Sequence, residues 1–343
     1  MKVRLLTIAI FSLALLMIPL TVFAFNAKPQ QSATKNSLLG ENKPSAEVAA
    51  TVNVQSNSVF KVYHTRTKSV EDIPADQYIR GVVAAEMPAE YPSEALKAQA
   101  AASFTYAALE RNNHHMHPNA NASIDGADVS DDPAHYQAYI SESSARKRFG
   151  DHFTEQWEKI TEAVQAVHGT ALTRNGNLIE AQYFSCSAGK TESSQTIWGN
   201  DVPYLTEVAS TWDSAAPDYK STVQVSQKSF LRTACDAYTD VNLGDDPSSW
   251  IKIATRSDAG GVTKATVGNK TVSGGKIQEW FGLRSTHFDV HYEQGNFIFD
   301  VLGDGHGVGL SQFGAGALAR SGRNWKEIVQ YYYTGIAITP YNW

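Results

Sequence analysis

The start of the chain decides where the rest of it folds. Lys2 and Arg4 precede an uncharged run, Leu5 to Phe25, rich in Leu, Ile and Phe. Its length is close to the roughly 20 residues that cross a bilayer as a helix. A basic start holds that end in the cytoplasm and sends the remainder of the chain outside. Val22-Phe23-Ala24 also offers a signal-peptidase site, so the segment reads as a signal or an anchor, and its length favours a retained anchor. On either reading the chain is exported. Residues 26–57 are polar, poor in aromatics, and carry Pro29 and Pro44 among many Ser, Asn and Ala, the composition of a flexible extracytoplasmic stalk. The expected plan is a membrane anchor or signal segment over 1–25, a stalk over 26–57, and a working domain over 58–343. The expected location is the cell membrane, single-pass, with that domain outside.

With 343 residues, 42% hydrophobic and 10% aromatic, the chain has enough apolar material for a real core. A net charge of −6 and the lack of any Lys/Arg block argue against nucleic acid as a partner. Cys186 and Cys235 permit one disulfide, or two separate thiols.

Val59-Phe60-Lys61-Val62-Tyr63 alternates as a first strand. Pro74-Ala75-Asp76 opens a helix with Tyr78, Ile79, Val82 and Val83 on its apolar side. That helix must end near Met87, because the residue before Pro88 is pushed out of the helical region. Ser93 is the expected N-cap of a second helix running to about Glu110, rich in Ala and open to close approach by a neighbour. His114 to Asp132 reads as irregular. A helix is predicted over about 153–167, and strands around 171–173, 180–184 and 250–253. A hairpin over 263–272 turns at Gly268-Asn269, 288–292 pairs with 297–302, and a last helix starts near Ser311. No internal repeat is visible. The fold class expected is α+β, with helices and antiparallel strands segregated around one extended catalytic domain with a substrate groove.

Glu86 closes Val82-Val83-Ala84-Ala85-Glu86-Met87-Pro88. It stands at the C-terminal end of an apolar helix, facing an Ala-rich partner. Partial burial and the negative end of the helix dipole both raise a carboxyl pKa. A carboxyl kept protonated near neutral pH is what a glycosidic oxygen needs as leaving-group acid. Composition alone leaves it an ordinary helix-end glutamate; the wider pattern singles it out.

The run Tyr78-Ile79-Arg80-Gly81-Val82-Val83-Ala84-Ala85-Glu86-Met87-Pro88-Ala89-Glu90-Tyr91, followed by Glu94-Ala95-Leu96-Lys97-Ala98-Gln99-Ala100, resembles the opening motif of the stage II sporulation protein D family, which includes amidase enhancers. Two more blocks match in order: Tyr183 to Glu192, similar to the family's Ser-x-Ser-Gly-Gly-x-Thr segment, and Gly305 to Ala315. The resemblance implies a peptidoglycan lytic transglycosylase that cuts glycan strands stripped of their peptides. One Glu protonates the bond after N-acetylmuramic acid, then deprotonates the muramoyl O6 to close a 1,6-anhydro ring. Hydrolysis of the usual kind needs two carboxylates; this route needs one, here Glu86, with Glu90 a more exposed rival. The partners implied are glycan strands, the membrane, and a wall amidase (stage II sporulation protein P) in an engulfment complex during sporulation.

Arg80, Lys97, Ser185, Ser187, Gly189, Lys190 and Thr191 are the expected substrate-binding residues in the first two blocks. In the third, Gly303-Asp304-Gly305-His306-Gly307-Val308-Gly309 looks like a dinucleotide turn taken alone, but Gly-x-Gly runs are weak signals and an exported domain meets no NAD. His306, Ser311 and Gln312 either line the groove or serve structural hydrogen bonds. A Ser185 or Cys186 nucleophile lacks the needed partners.

Some family members hold zinc through cysteines where this chain has Ser130 and Tyr136; His135 alone makes a poor site, so neither zinc nor any other cofactor is expected. A second departure is Phe104, which stands where the family's Ala-Ala-Arg-Thr-Tyr run has Arg. If that Arg binds substrate, another residue such as Arg80 must supply its charge. That departure keeps open a second reading, a non-catalytic wall-binding activator of an amidase.

Overall fold

The computed structural model describes residues 58–117 and 122–343. The expected anchor and stalk lie outside the described residues. Among the described residues no helix is long and apolar enough to cross a membrane.

The described residues open with a hairpin, β1 (Val59–His64) and β2 (Ser69–Pro74), which leads straight into α1 (Ala75–Glu86). Pro74 pre-sets the entry and Asp76 sits in the first turn, where the dipole favours an anion. The apolar stripe is Tyr78, Ile79, Val82 and Val83, all fully buried; each valine contributes about 2 kcal/mol by its burial. The helix stops at Glu86, with Met87 extended (φ −127°, ψ 137°) ahead of Pro88, as the proline requires.

Next comes α2 (Ser93–Met116), the central pillar, longer than predicted and reaching into the segment read as irregular. Its N-cap is Pro92, not Ser93, and no side chain caps it; proline leaves no donor there, and Ser93 is already helical. Ala95, Ala98, Ala100, Ala101, Ala102, Ala107 and Ala108 are all fully buried, and these small side chains let α1 and later elements pack on several faces of α2. Strand β3 (Val129–Ser130) runs parallel to β1. Then α3 (Glu142–Phe149) and α4 (Phe153–Val167) pack beside α1. Strand β4 (Thr170–Arg174) pairs with β5 (Asn177–Leu178), and β6 (Tyr183–Phe184) is the only strand in the 180–184 stretch. A short α5 (Ser194–Trp198) follows.

A second core then forms from β7 (Lys220–Ser226), α6 (Gln227–Ala237), β8 (Ile251–Arg256), β9 (Val262–Val267), β10 (Lys270–Ser273), α7 (Gly274–Phe281), β11 (Phe288–Glu293) and β12 (Asn296–Leu302). Its two antiparallel sheets have the orders β10-β9-β8 and β11-β12-β7. Two adjacent residues, Gly268 and Asn269, join β9 to β10 as predicted. The chain returns to the first core through β13 (Leu310–Ser311), parallel to β6, then α8 (Gln312–Arg320) and α9 (Trp325–Tyr332). Strand β14 (Ala337–Pro340) closes on β4. The architecture is α+β. Cys186 is buried and Cys235 exposed, and both are free thiols.

Candidate active site

Glu86 is presented by the last turn of α1, and four separate parts of the chain meet it. The first is the segment crossing over α1 at Gly81. Any Cβ there would collide with the Tyr139 ring and the Ile140 carbonyl, so glycine lets the backbone lie close. Ile140 N–H donates to Gly81 O at 3.3 Å, and two residues earlier Ala138 N–H donates to Glu86 Oε1 at 2.7 Å. The second is β6, whose Tyr183 hydroxyl donates to Gln137 Oε1 at 2.9 Å, one residue before the Ala138 amide, and whose dipole acts to lower the Glu86 pKa. The third is the start of α8, where Gln312 acts to lower the Glu86 pKa while its amide donates to Gln99. The fourth is α3: Arg148 Nη1 donates to Ala85 O at 3.2 Å, and its charge acts on Glu86.

These groups are fixed from behind by α2. Gln312 Nε2 donates to Gln99 Oε1 at 3.3 Å, Gln99 Nε2 to Ser103 Oγ at 3.0 Å, and Gln137 Nε2 to the Ser103 carbonyl at 3.2 Å. Gln99 and Ser103 are one turn apart on the same face of α2. Burial raises the Glu86 pKa, and that effect prevails over the lowering contributions of Ala138 N–H, Tyr183, Gln312 and Arg148. The result is a carboxyl inclined to keep its proton, with hydrogen bonds ready to hold the anion once the proton leaves. The same burial, with the Glu86 charge next in size, pushes the Tyr183 phenol well up, so it stays a hydrogen-bond donor.

The other expected residues divide. His306 Nε2 lies 3.0 Å from the Tyr183 carbonyl and its Nδ1 accepts from Val308 N–H at 3.1 Å. Nε2 must therefore carry the proton, and burial lowers the ring's pKa to about 4. His306 thus holds Tyr183 from behind, between the rings of Phe184 and Trp198. Ser311 caps α8 and donates to Asp213 Oδ1 at 2.9 Å. Ser187 Oγ accepts from Gly189 N–H at 3.1 Å, and Thr191 Oγ1 bonds Thr206 O at 3.0 Å and Val208 N–H at 2.7 Å, so both hydroxyls hold the 185–191 turn. Ser185 is exposed and Lys190 half-buried on that turn. Lys97 pairs with Glu94 at 2.6 Å.

Arg80 is not the cation beside Glu86. It lies 5.6 Å from the Trp157 ring centroid and donates to the Asp76 carbonyl; six residues from Glu86, it points elsewhere around α1. Arg148 takes that place. Phe104 is fully buried and stacks on Trp343 with ring centroids 3.9 Å apart, one helical position round from Ser103, so residue 104 faces the core. Glu90 is exposed and accepts from Gln156 at 2.8 Å. Ser130 Oγ donates to the Tyr63 carbonyl, and His135 pairs with Asp132 at 2.9 Å. Arg148, Gln137 and the Ala138 amide escape the sequence reading, and Gln99 stands inside the first motif with no charge to mark it.

Residues 63–173 match the family model described as stage II sporulation protein. Stage II sporulation protein D of Bacillus subtilis (strain 168) is 34% identical over 343 aligned positions, covering 99% of this chain and 96% of that protein. Its counterpart from Bacillus amyloliquefaciens is 36% identical over 280, covering 81% and 78%. A Bacillus subtilis protein named amidase enhancer is 26% identical, covering 77% of this chain and 40% of its own length.

Proposed function

Because this chain belongs to the stage II sporulation protein D family, we propose that it is a lytic transglycosylase acting on peptide-free glycan strands of the cell wall. The reading is supported by the half-buried carboxyl of Glu86, enclosed by the Ala138 amide and the Arg148 side chain and with a pKa that desolvation raises. Glu86 donates its proton to the oxygen linking N-acetylmuramic acid to the next sugar, and the C1–O bond breaks with positive charge left on C1. The Glu86 carboxylate, stabilised at that moment by Ala138 N–H, Gln312 and Arg148, takes the proton from O6. The O6–C1 bond then closes the anhydro ring, and Glu86 returns to its starting state. No water and no second carboxylate enter the sequence.

The expected setting is the outer face of the cell membrane, with the domain held by an N-terminal anchor, beside a wall amidase during engulfment. A second reading, a wall-binding activator without chemistry of its own, draws support from the relative named amidase enhancer. The test incubates the full chain with peptide-free glycan strands. Anhydro-muramic ends that appear with wild type and vanish with Glu86→Gln support the enzyme. Strand binding with no new ends in wild type overturns it in favour of the activator.

A further inference from the structure

The second core meets the first at a buried carboxylate that the proposed chemistry leaves without a role. Glu192 ends the 185–191 turn and is fully buried. Three donors from the second core converge on its Oε1: Ser257 Oγ at 2.7 Å, His287 Nε2 at 2.8 Å and Gly261 N–H at 3.2 Å. A Cβ on Gly261 would overlap that same oxygen. The His287 side chain is only 10% exposed.

On its other side Glu192 holds the glycine loop. Its N–H donates to Gly307 O at 2.8 Å, it bridges in parallel to Val308, and a Cβ on Gly307 would stand 3.0 Å from its Cγ. At the far end of the loop, Gly305 N–H donates to the Arg284 carbonyl at 2.8 Å. Between these two ties lies His306, which holds the Tyr183 carbonyl; the Tyr183 hydroxyl in turn donates to Gln137, whose neighbour Ala138 donates its N–H to Glu86.

A buried carboxylate with its donors is a poor device for stability alone, since apolar residues of the same volume often do as well. What three donors on one oxygen supply is a fixed position. We infer that Glu192, clamped by His287, Ser257 and Gly261, is a positioning residue that sets the His306–Tyr183 hydrogen bond and through it the carboxyl of Glu86. The second core is then part of the catalytic apparatus without touching substrate. The inference rests on the reading of Glu86 as the acid.

The test uses the full chain carrying 13C-carboxyl glutamate, with Glu86 assigned by its absence in Glu86→Gln. In Glu192→Gln and His287→Ala the Glu86 titration shifts by about half a unit or more, because its hydrogen bonds are displaced, and glycan cleavage falls by about tenfold. His287→Gln, which keeps a donor, restores most of both, and it serves where Glu192→Gln does not fold. Variants that lower the melting temperature yet leave the Glu86 titration at the wild-type value overturn the inference. A wild type that makes no anhydro ends sinks the enzymatic reading, while the titration still decides the positioning.

Discussion

Position 104 separates two accounts of this chain, and a single truncation distinguishes them. Phe104 is fully buried. Its ring stacks on Trp343 at 3.9 Å and 13°, and meets Phe60 and Tyr341 edge-on at 6.1 and 5.8 Å. Phe→Ala in a core costs about 3–5 kcal/mol, and three aromatic partners place this site near 4. Against a total stability of about 5–15 kcal/mol, Phe104→Ala removes a large share of the margin. Phe104→Arg, restoring the residue expected from the family, costs more, since it buries a guanidinium among aromatic rings without a partner. Urea unfolding followed by tryptophan fluorescence measures the loss, because Trp343 is in direct contact with the ring. Cleavage of glycan strands per folded molecule, well below the melting temperature, stays near wild type, because Phe104 and Glu86 share no partner. The reasoning is refuted if the rate per folded molecule drops about tenfold or more while stability barely moves.

Three further outcomes are expected. Burial, with Asp213 next, pushes the Cys186 thiol to about 12, while Cys235 is exposed; a thiol reagent at mildly alkaline pH should label Cys235 alone in native protein and both after unfolding, and native labelling of both contradicts the packing. Burial raises Asp213 from 3.8 to about 6, so its protonated form favours the fold. That contribution is complete below the ordinary carboxylate range and is lost as pH rises through about 6, worth about 3 kcal/mol in all. Asp213→Asn should flatten this part of the stability curve in urea melts, and an unchanged pH dependence would count against it. Burial lowers His306 to about 4, so its contribution is present above 6.5 and is lost as pH falls toward 4. Its 15N signals should show a neutral ring protonated at Nε2 at pH 5; titration near 6.5 would disprove the Tyr183 tie.

Where local chemistry dictated structure, the chain was readable. Proline at 88 ended α1 at Glu86, apolar spacing marked α4, and Gly268-Asn269 turned its hairpin. Helix α3 went unseen because Glu142–Phe149 buries only Ala145 and so carries no apolar period, and with it went Arg148. The first helix of the motif was legible, but its surroundings were not. Ala138 acts through its backbone, which no side-chain pattern announces. Gln137 and Gln99 carry no charge to draw notice, and their meaning depends on which distant groups they meet. Hydroxyls on turns can bind sugar or hold the fold, so Ser187, Thr191 and Ser311 were open to both readings, and their partners within the fold could not be read from the sequence.

The hydrogen bond between Gln99 and Gln312 spans 213 positions of sequence, and that separation has a consequence for how the chain matures. Before the rest of the fold closes on α1, Glu86 is a solvated carboxylate like any other, ionised at neutral pH. Its acidity changes only after β6, α3 and α8 have closed over it, which requires nearly the whole described chain to be in place. Long-range closure of this kind comes late in folding because the loop entropy must be overcome first. A chain still folding therefore carries the glutamate without the raised pKa, which arrives only with the finished assembly.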